Sequence, residues 1–331
     1  MRLKCVFVLT IAVVLLVIVC TLQRVFKIHY GQKPPLPLPN EDRSPSQPAD
    51  ICENCRSQLK SKCNGFEKAV LTQQNTLLRS VLVYDGDKTI TNVTEKIFNT
   101  FAKTHPFSNT SLGTCAVVGN AGILSNSSCG EAIDSAQFVI RCNMPPLDGE
   151  FTKDVGTKTN IVTCNPSIVV EKYDRLLKQQ QPFADYARVY GNAMLLLPTF
   201  SYRYTTEVLL RVFSTIQDFE LQTQPLSMNP HYLKNLDEFW RSHGVNPKKR
   251  LTTGLMMTSL AVEMCDDVHL FGFWPFDQHP HTKQPVPHHY YDNKLPKPGV
   301  HSMPAEFELL LQMHKKGLLK LHLGQCPPPR T

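Results

Sequence analysis

The chain has 331 residues, of which 35 are Lys or Arg and 28 are Asp or Glu, giving a formal net charge of +7. The basic residues are scattered, with no run longer than the three at 248–250, so they read as solvated surface or as attraction to anionic sugars and not as a nucleic-acid stripe. There is no internal repeat, and the length suits one α/β domain of about 220 residues behind amino-terminal segments.

Residues 5–22 form an apolar run of eighteen without a charged side chain, with Arg2 and Lys4 before it and Arg24 and Lys27 after it. That length spans a thin bilayer, and the stretch ending Ile18, Val19, Cys20 lacks the small-x-small pattern of a cleaved signal peptide. The basic flanks nearly balance and leave the orientation open. Asn92-Val93-Thr94, Asn109-Thr110-Ser111 and Asn126-Ser127-Ser128 are glycosylation acceptors, and nine cysteines follow the run; both features belong in an oxidising secretory lumen. The expected organisation is a cytoplasmic tail at 1–4, a transmembrane signal-anchor at 5–22, a stem at 23–75 that includes the proline-rich segment 31–50, and a lumenal catalytic domain at 76–331. Residues 51–111 are expected to form a transition from stem to body. A short span with a lumenal body fits a single-pass type II protein of the Golgi membrane, where bilayers are thinner, and keeps nucleic acid out of reach.

In the body, apolar runs alternate with helical patterns. Strands are predicted at 116–118, 138–140, 160–163, 193–197, 268–271 and 319–323. Helical character is predicted at 130–136, and helices at 167–179, 205–216, 230–242, 254–265 and 304–316, with Ser167 and Thr253 as amino-terminal caps. This alternation predicts an α/β fold, a Rossmann-like, mostly parallel sheet with helices on both faces, which binds ligands at the carboxyl ends of its strands.

Chemistry gathers at those strand ends. The first predicted strand runs into Gly119-Asn120-Ala121-Gly122, where small residues let backbone approach a phosphate and Asn120 can bond it or a ribose; by itself this is equally an ordinary tight turn. Asn143 follows the next strand at a similar level. Thr252-Thr253-Gly254 opens a helix with free N–H groups and hydroxyls, either a simple cap or an anion site. His301 lies five residues before Glu306 at a probable helix start, and an imidazole titrating near neutral pH suits removal of a hydroxyl proton; a lone histidine among twelve is otherwise surface or core. Asp85-Gly86-Asp87 has the D-x-D form of metal-dependent glycosyltransferases but lies upstream of the sheet, in a turn. His279, His281, His288 and His289 have no cysteine or acid at zinc-site spacing, and no metal or other cofactor is expected.

The blocks CAVVGNAGILSNSSCGEAIDSAQFVIRCN (115–143), KKRLTTGLMMTSLAVEMCDDVHLFGFWP (248–275), HHYYDN (288–293) and HSMPAE (301–306), in this order, resemble the four sialylmotifs of the animal sialyltransferases. The resemblance covers 112–326. It implies a GT-A-like sialyltransferase variant with CMP-sialic acid as donor. Asn120 and Asn143 would contact the cytidine monophosphate, and Thr252, Thr253, Gly254 and Trp274 would line its pocket; Ser is usual where this chain has Thr252. His289 would hold the donor phosphate, with His288 as a weaker contact, and His301 would be the general base of an inverting, metal-independent displacement. The resemblance further implies disulfides Cys115–Cys265 and Cys129–Cys326. Cys142 and Cys164 lie in strand-like segments and read as buried thiols, and the odd cysteine among Cys52, Cys55 and Cys63 would allow a bridged homodimer.

VIRCN, GFWPF, HHYYDNKLPKPG and the terminal cysteine resemble the α2,8 branch, the group of types I, V and VI, with a lean to type VI. The acceptor would be the 8-hydroxyl of a terminal sialyl group on gangliosides or O-linked glycoproteins. Basic residues between 77 and 113 are few and opposed by acids, which disfavours long-polymer synthesis. The alternatives are a metal-dependent Golgi glycosyltransferase of another donor, using Asp85 and Asp87, and a non-catalytic lumenal sialoglycan-binding protein.

Overall fold

Strands rich in Val, Ile and Leu with no polar face must be covered on both sides, and that is how they are used here. The computed structural model describes residues 54–107, 111–246, 248–295 and 299–327. The expected anchor at 5–22, the segment 31–50, Cys52 and the Asn109 sequon lie outside them. Among the described residues no helix is long and apolar enough to cross a membrane.

Strands β1 (Val81–Val83) and β2 (Ile90–Asn92) pair as an antiparallel hairpin. Seven more, β3 (Thr114–Val118), β4 (Phe138–Arg141), β5 (Ile161–Thr163), β6 (Met194–Leu197), β7 (Gln224–Ser227), β8 (Asp267–Phe271) and β9 (Lys320–His322), form one parallel sheet in the order 7-6-5-4-3-8-9. Side chains alternate across it: Cys115 and Val117 of β3 enter one core and Ala116 and Val118 the other. Six helices concern us: α1 (Cys55–Lys62), α2 (Gln180–Ala187), α3 (Arg203–Asp218), α4 (Pro230–Ser242), α5 (Thr253–Met264) and α6 (Met303–Lys315). Residues of α1, α4, α5 and α6 pack on the first face and those of α2 and α3 on the second, so the expected α/β sheet with helices on both sides is the observed one. The 51–111 region joins the first core through Leu59, Cys63, Phe66 and Val70.

The sequence-based assignment missed β7 because Pro225 interrupts it. Proline cannot donate to a ladder and is tolerated at a sheet edge, which is where β7 lies. The predicted helix 167–179 is corrected to a π turn at Ile168–Lys172 and a 3-10 turn at Asp174–Leu176, and Ser167 makes no cap hydrogen bond. Asp174, Arg175 and Leu176 have φ of 44°, 56° and 55°, which a right-handed helix cannot contain. Burial of Val169, Tyr173 and Leu176 in the second core prevails over local helical preference.

Cys115 on β3 is bridged to Cys265 at the end of α5, and Cys129 to Cys326 beyond β9. Cys55 is also disulfide-bonded. Cys63, Cys142 and Cys164 are buried thiols, each pushed up to about 12 by burial. Arg141, wholly buried at the end of β4, donates to the carbonyls of Val155 (2.8 Å) and Lys158 (3.0 Å) and so fixes the turn behind Asn143.

Glu263 in α5 ties the 55–71 segment to the body: its carboxylate accepts from Gly65 N (2.6 Å) and from the Tyr232 hydroxyl (2.8 Å). Burial pushes its carboxyl up to about 7 from 4.5. A carboxyl raised in the folded state contributes stability that is full below pH 4.5 and lost as pH rises through 7. Relative to Glu263→Gln, the wild type is therefore expected to lose roughly 3 kcal/mol across that window. Thermal unfolding of both proteins from pH 4.5 to 7.5 checks this, and a difference independent of pH would contradict it.

Candidate active site

The sheet reverses its winding between β3 and β8, and the loops after these strands frame the crevice where such folds bind ligands. Gly119 and Gly272 let the two loops touch: Gly119 N donates to Phe271 O (2.8 Å), Ala121 N donates to Gly272 O (3.1 Å), and a Cβ on Gly119 would lie 2.5 Å from Gly272 O. A third strand-like segment closes on them, with Tyr290 N donating to Asn120 O (3.0 Å) and Ala121 bridged antiparallel to His289. The loop carrying Asn120 and the loop carrying His289 are thus one hydrogen-bonded unit.

Asn120 donates through Nδ2 to Cys142 O (2.8 Å), and its Oδ1 is buried without a protein partner. An orphaned buried carbonyl costs about 1–3 kcal/mol, a cost that a ligand N–H or O–H would relieve. Asn143 takes a left-handed φ of 64°, a conformation asparagine tolerates, and is pinned from both sides by Thr163: Asn143 N donates to Thr163 Oγ1 (2.8 Å) and Oγ1 donates to Asn143 Oδ1 (3.3 Å). Beyond β5, Asn165 Oδ1 accepts from Thr253 Oγ1 (3.3 Å). The ends of β3, β4 and β5 are therefore linked step by step to the start of α5.

Thr252, not Thr253, is the cap of α5, its hydroxyl accepting from Leu255 N (3.1 Å). That leaves the first-turn N–H groups of Thr253 and Gly254 without intrahelical acceptors, at the positive end of the helix. Gly254 is required there, since a Cβ would meet the Phe273 ring at 2.8 Å. Thr252 is itself gripped by Glu306, which accepts from Thr252 N (3.0 Å) and, in a short hydrogen bond, from the Thr252 hydroxyl. Burial pushes the Glu306 carboxyl up to about 7.

His301 Nδ1 lies 2.8 Å from Arg250 O. A carbonyl only accepts, so the proton sits on Nδ1 and the Nε2 lone pair is free. Burial, first of all, holds the imidazole below its usual value, which favours the neutral form. His289 is oriented by Asp292, with Nδ1 2.7 Å from Oδ1, and stacks on Tyr291. His288 lies beside it, lowered by burial and then by His289.

Trp274 lies in the loop after β8. Its ring is buried against Phe276 and Phe307, and its N–H donates to Gln278 O (2.8 Å), so it joins the loop after β8 to α6. Asp85 and Asp87 are engaged elsewhere: Asp85 accepts from Ser201 Oγ (2.7 Å) and lies 3.6 Å from the Arg250 guanidinium, while Asp87 accepts from Arg203 N (2.8 Å) at the start of α3. Sequence reasoning gave no role to Thr163, Asn165, Asp292 or the Arg250 carbonyl. The first two follow the rule that strand ends carry ligands and could have been found; a backbone carbonyl leaves no trace in composition.

The family model for glycosyltransferase family 29 (sialyltransferase) matches residues 67–318. Alpha-2,8-sialyltransferase 8F of Homo sapiens is 45% identical over 281 residues, 84% of this chain and 70% of that protein. Alpha-2,8-sialyltransferase 8E of Homo sapiens is 43% identical over 272 residues, 82% of this chain and 72% of that one. The Bos taurus alpha-N-acetylneuraminide alpha-2,8-sialyltransferase is 42% identical over 275 residues, covering 82% and 76%. A crystal structure of a mammalian sialyltransferase shares the fold with a TM-score of 0.54 and 21% identity, covering 86% of this chain and 100% of that one. The chain belongs to glycosyltransferase family 29, the sialyltransferases, and is a glycosyltransferase.

Thr252 separates capping from mere polarity. Thr252→Ser keeps the hydroxyl that bonds Leu255 N and Glu306, whereas Thr252→Val loses both bonds and about 1 kcal/mol of helix stability. Thr252→Val is expected to raise the donor KM several-fold while Thr252→Ser stays near wild type; steady-state kinetics with varied donor and thermal unfolding of both variants test this, and an unchanged KM in Thr252→Val would refute it.

Proposed function

We propose that this chain is an α2,8-sialyltransferase that moves sialic acid from CMP-sialic acid to the 8-hydroxyl of a terminal sialyl group on a ganglioside or an O-linked glycoprotein. The relatives named above carry α2,8-sialyltransferase in their names, which supports the linkage. One observation carries the mechanism: the five residues 250–254 hold His301 through the Arg250 carbonyl and open the helix whose first N–H groups are free. In this reading the base and the anion site are held by the same short segment.

In this reading the 8-hydroxyl oxygen attacks the anomeric carbon of the donor as its bond to the phosphate oxygen of CMP breaks. The hydroxyl proton passes to His301 Nε2, the configuration inverts, and no covalent intermediate forms on the protein. The N–H groups of Thr253 and Gly254, with His289, meet the charge gathering on the departing phosphate. Asn120 and Asn143 offer a carboxamide oxygen and a carboxamide N–H to the nucleoside. No metal takes part, and the engagement of Asp85 by Ser201 and Arg250 and of Asp87 by Arg203 supports this over the metal-dependent alternative. The reading includes a lumenal body in the Golgi, anchored through 5–22 in type II orientation.

His301→Ala is expected to lower kcat by roughly 10²–10⁴-fold while CMP affinity, measured by calorimetry, is retained. Because burial lowers the imidazole, the acid limb of kcat/KM should lie below about pH 6.5. Turnover that survives the substitution would rule out the assigned base, and activity abolished by EDTA would favour the metal-dependent alternative.

A further inference from the structure

The β1–β2 hairpin has two unlike faces. Leu82 on the inner face packs in a small core with Tyr84, Phe101 and Phe200. The outer face is built from the directly opposed pairs Val81–Asn92 and Val83–Ile90. Three of its four residues are large and apolar, and Val81, Val83 and Ile90 are 53%, 53% and 62% exposed. Leu77 and Leu78, just before the hairpin, are also exposed. An open apolar strand pair of this kind invites self-association, and soluble proteins cover or charge such faces.

The fourth residue of the face is Asn92. It is exposed, its side chain makes no hydrogen bond among the described residues, and it is the acceptor of the sequon Asn92-Val93-Thr94. Opposed residues on one face of an antiparallel pair stand about 4.5–5.5 Å apart at Cβ. A sugar on Asn92 Nδ2 would therefore be within reach of Val81 and of Ile90, two residues back on the same strand.

We propose that Asn92 carries an N-linked glycan whose first N-acetylglucosamine residues lie on Val81, Val83 and Ile90 and cover this face. In forming it, the Asn92 amide nitrogen attacks the anomeric carbon of a lipid-diphosphate-linked oligosaccharide. A C–N bond forms, the bond to the diphosphate breaks, the amide nitrogen loses one proton and the lipid diphosphate departs. The pyranose C–H face supplies apolar contact and its hydroxyls face solvent, so the modification converts an apolar surface into a wettable one. The proposal rests on the lumenal placement of the body. Asn126, whose sequon lies on a different loop, reports that placement independently.

The test uses the full chain expressed in a secretory cell and extracted in mild detergent. Substitution is made at Asn92 because the Thr94 hydroxyl also caps a short helix by accepting from Ile97 N. Peptide mapping after glycosidase treatment is expected to show modified Asn92, and Asn92→Gln to shift a several-fold larger fraction of chains into rapidly sedimenting aggregate. Adding Val81→Thr, Val83→Thr and Ile90→Thr to Asn92→Gln is expected to restore the monodisperse species. Unmodified Asn92 on chains whose Asn126 is modified would overturn the proposal alone, whereas two unmodified sites would overturn the lumenal placement with it. Asn92→Gln sedimenting as wild type would also overturn the proposal, as would a glycosylated wild-type dimer that Ile90→Asp splits, since a second copy would then be the cover.

Discussion

The site depends on the hydrogen bonds by which residues 300–306 grip residues 250–252. Arg250 N donates to Val300 O, His301 donates to Arg250 O, and Glu306 receives both donors of Thr252. The spacing of the histidine and the acid follows from where α6 begins. His301 lies just before the helix, and Glu306 lies in its first turn. Pro304 sits at the start of the helix, where its missing N–H costs nothing. The partners Arg250 and Thr252 are two residues apart, the separation at which an extended chain repeats its orientation. One contact from just before α6 and one from its first turn thus fix His301 and the cap of α5 together.

The second constraint is the close approach of the loops after β3 and β8. With Gly119 and Gly272 back to back, the turn bearing Asn120 is held to the loop after β8 by backbone hydrogen bonds, and its outer edge remains free to pair with the segment bearing His289. The Cys115–Cys265 bridge joins β3 to the carboxyl end of α5, so the strand that presents Asn120 and the helix that presents Thr253 are also tied covalently at their far ends. The amides, the helix start and the two histidines come from five separated stretches of chain, yet each is one or two hydrogen bonds from its neighbour.

Much of this was legible because the residues obey local rules. The five internal strands announced themselves as short apolar runs, and the polar residues that follow them fall at the carboxyl edge once the sheet is parallel. What escaped obeys rules that are not local. Pro225 reads as a strand breaker until the sheet order shows β7 to be an edge, and 167–179 has helical periodicity that its left-handed turn at Asp174–Leu176 defeats for the sake of burying Tyr173 and Leu176. Thr252 and Thr253 are chemically alike, and only the position of Glu306 decides which of them caps the helix. Glu306 itself stood in a quoted motif without a role, because a glutamate in a first helical turn is common and its partner lies 54 residues away.

Burial moves the two ionisable groups of this last motif in opposite directions, and the effect is the same for both. The imidazole of His301 is held below its usual range and the carboxyl of Glu306 is raised to about 7, so burial favours the uncharged form of each. A site that binds an anionic sugar nucleotide gains from this. A charged Glu306 at the mouth of α5 would oppose the positive end of the helix at which the proposed function puts the donor phosphate, whereas a neutral carboxyl still accepts from Thr252 N and holds the cap. A neutral His301 keeps its Nε2 lone pair, which the proposed mechanism uses to take the proton of the incoming hydroxyl. The buried machinery contributes direction and leaves the charge to the substrate.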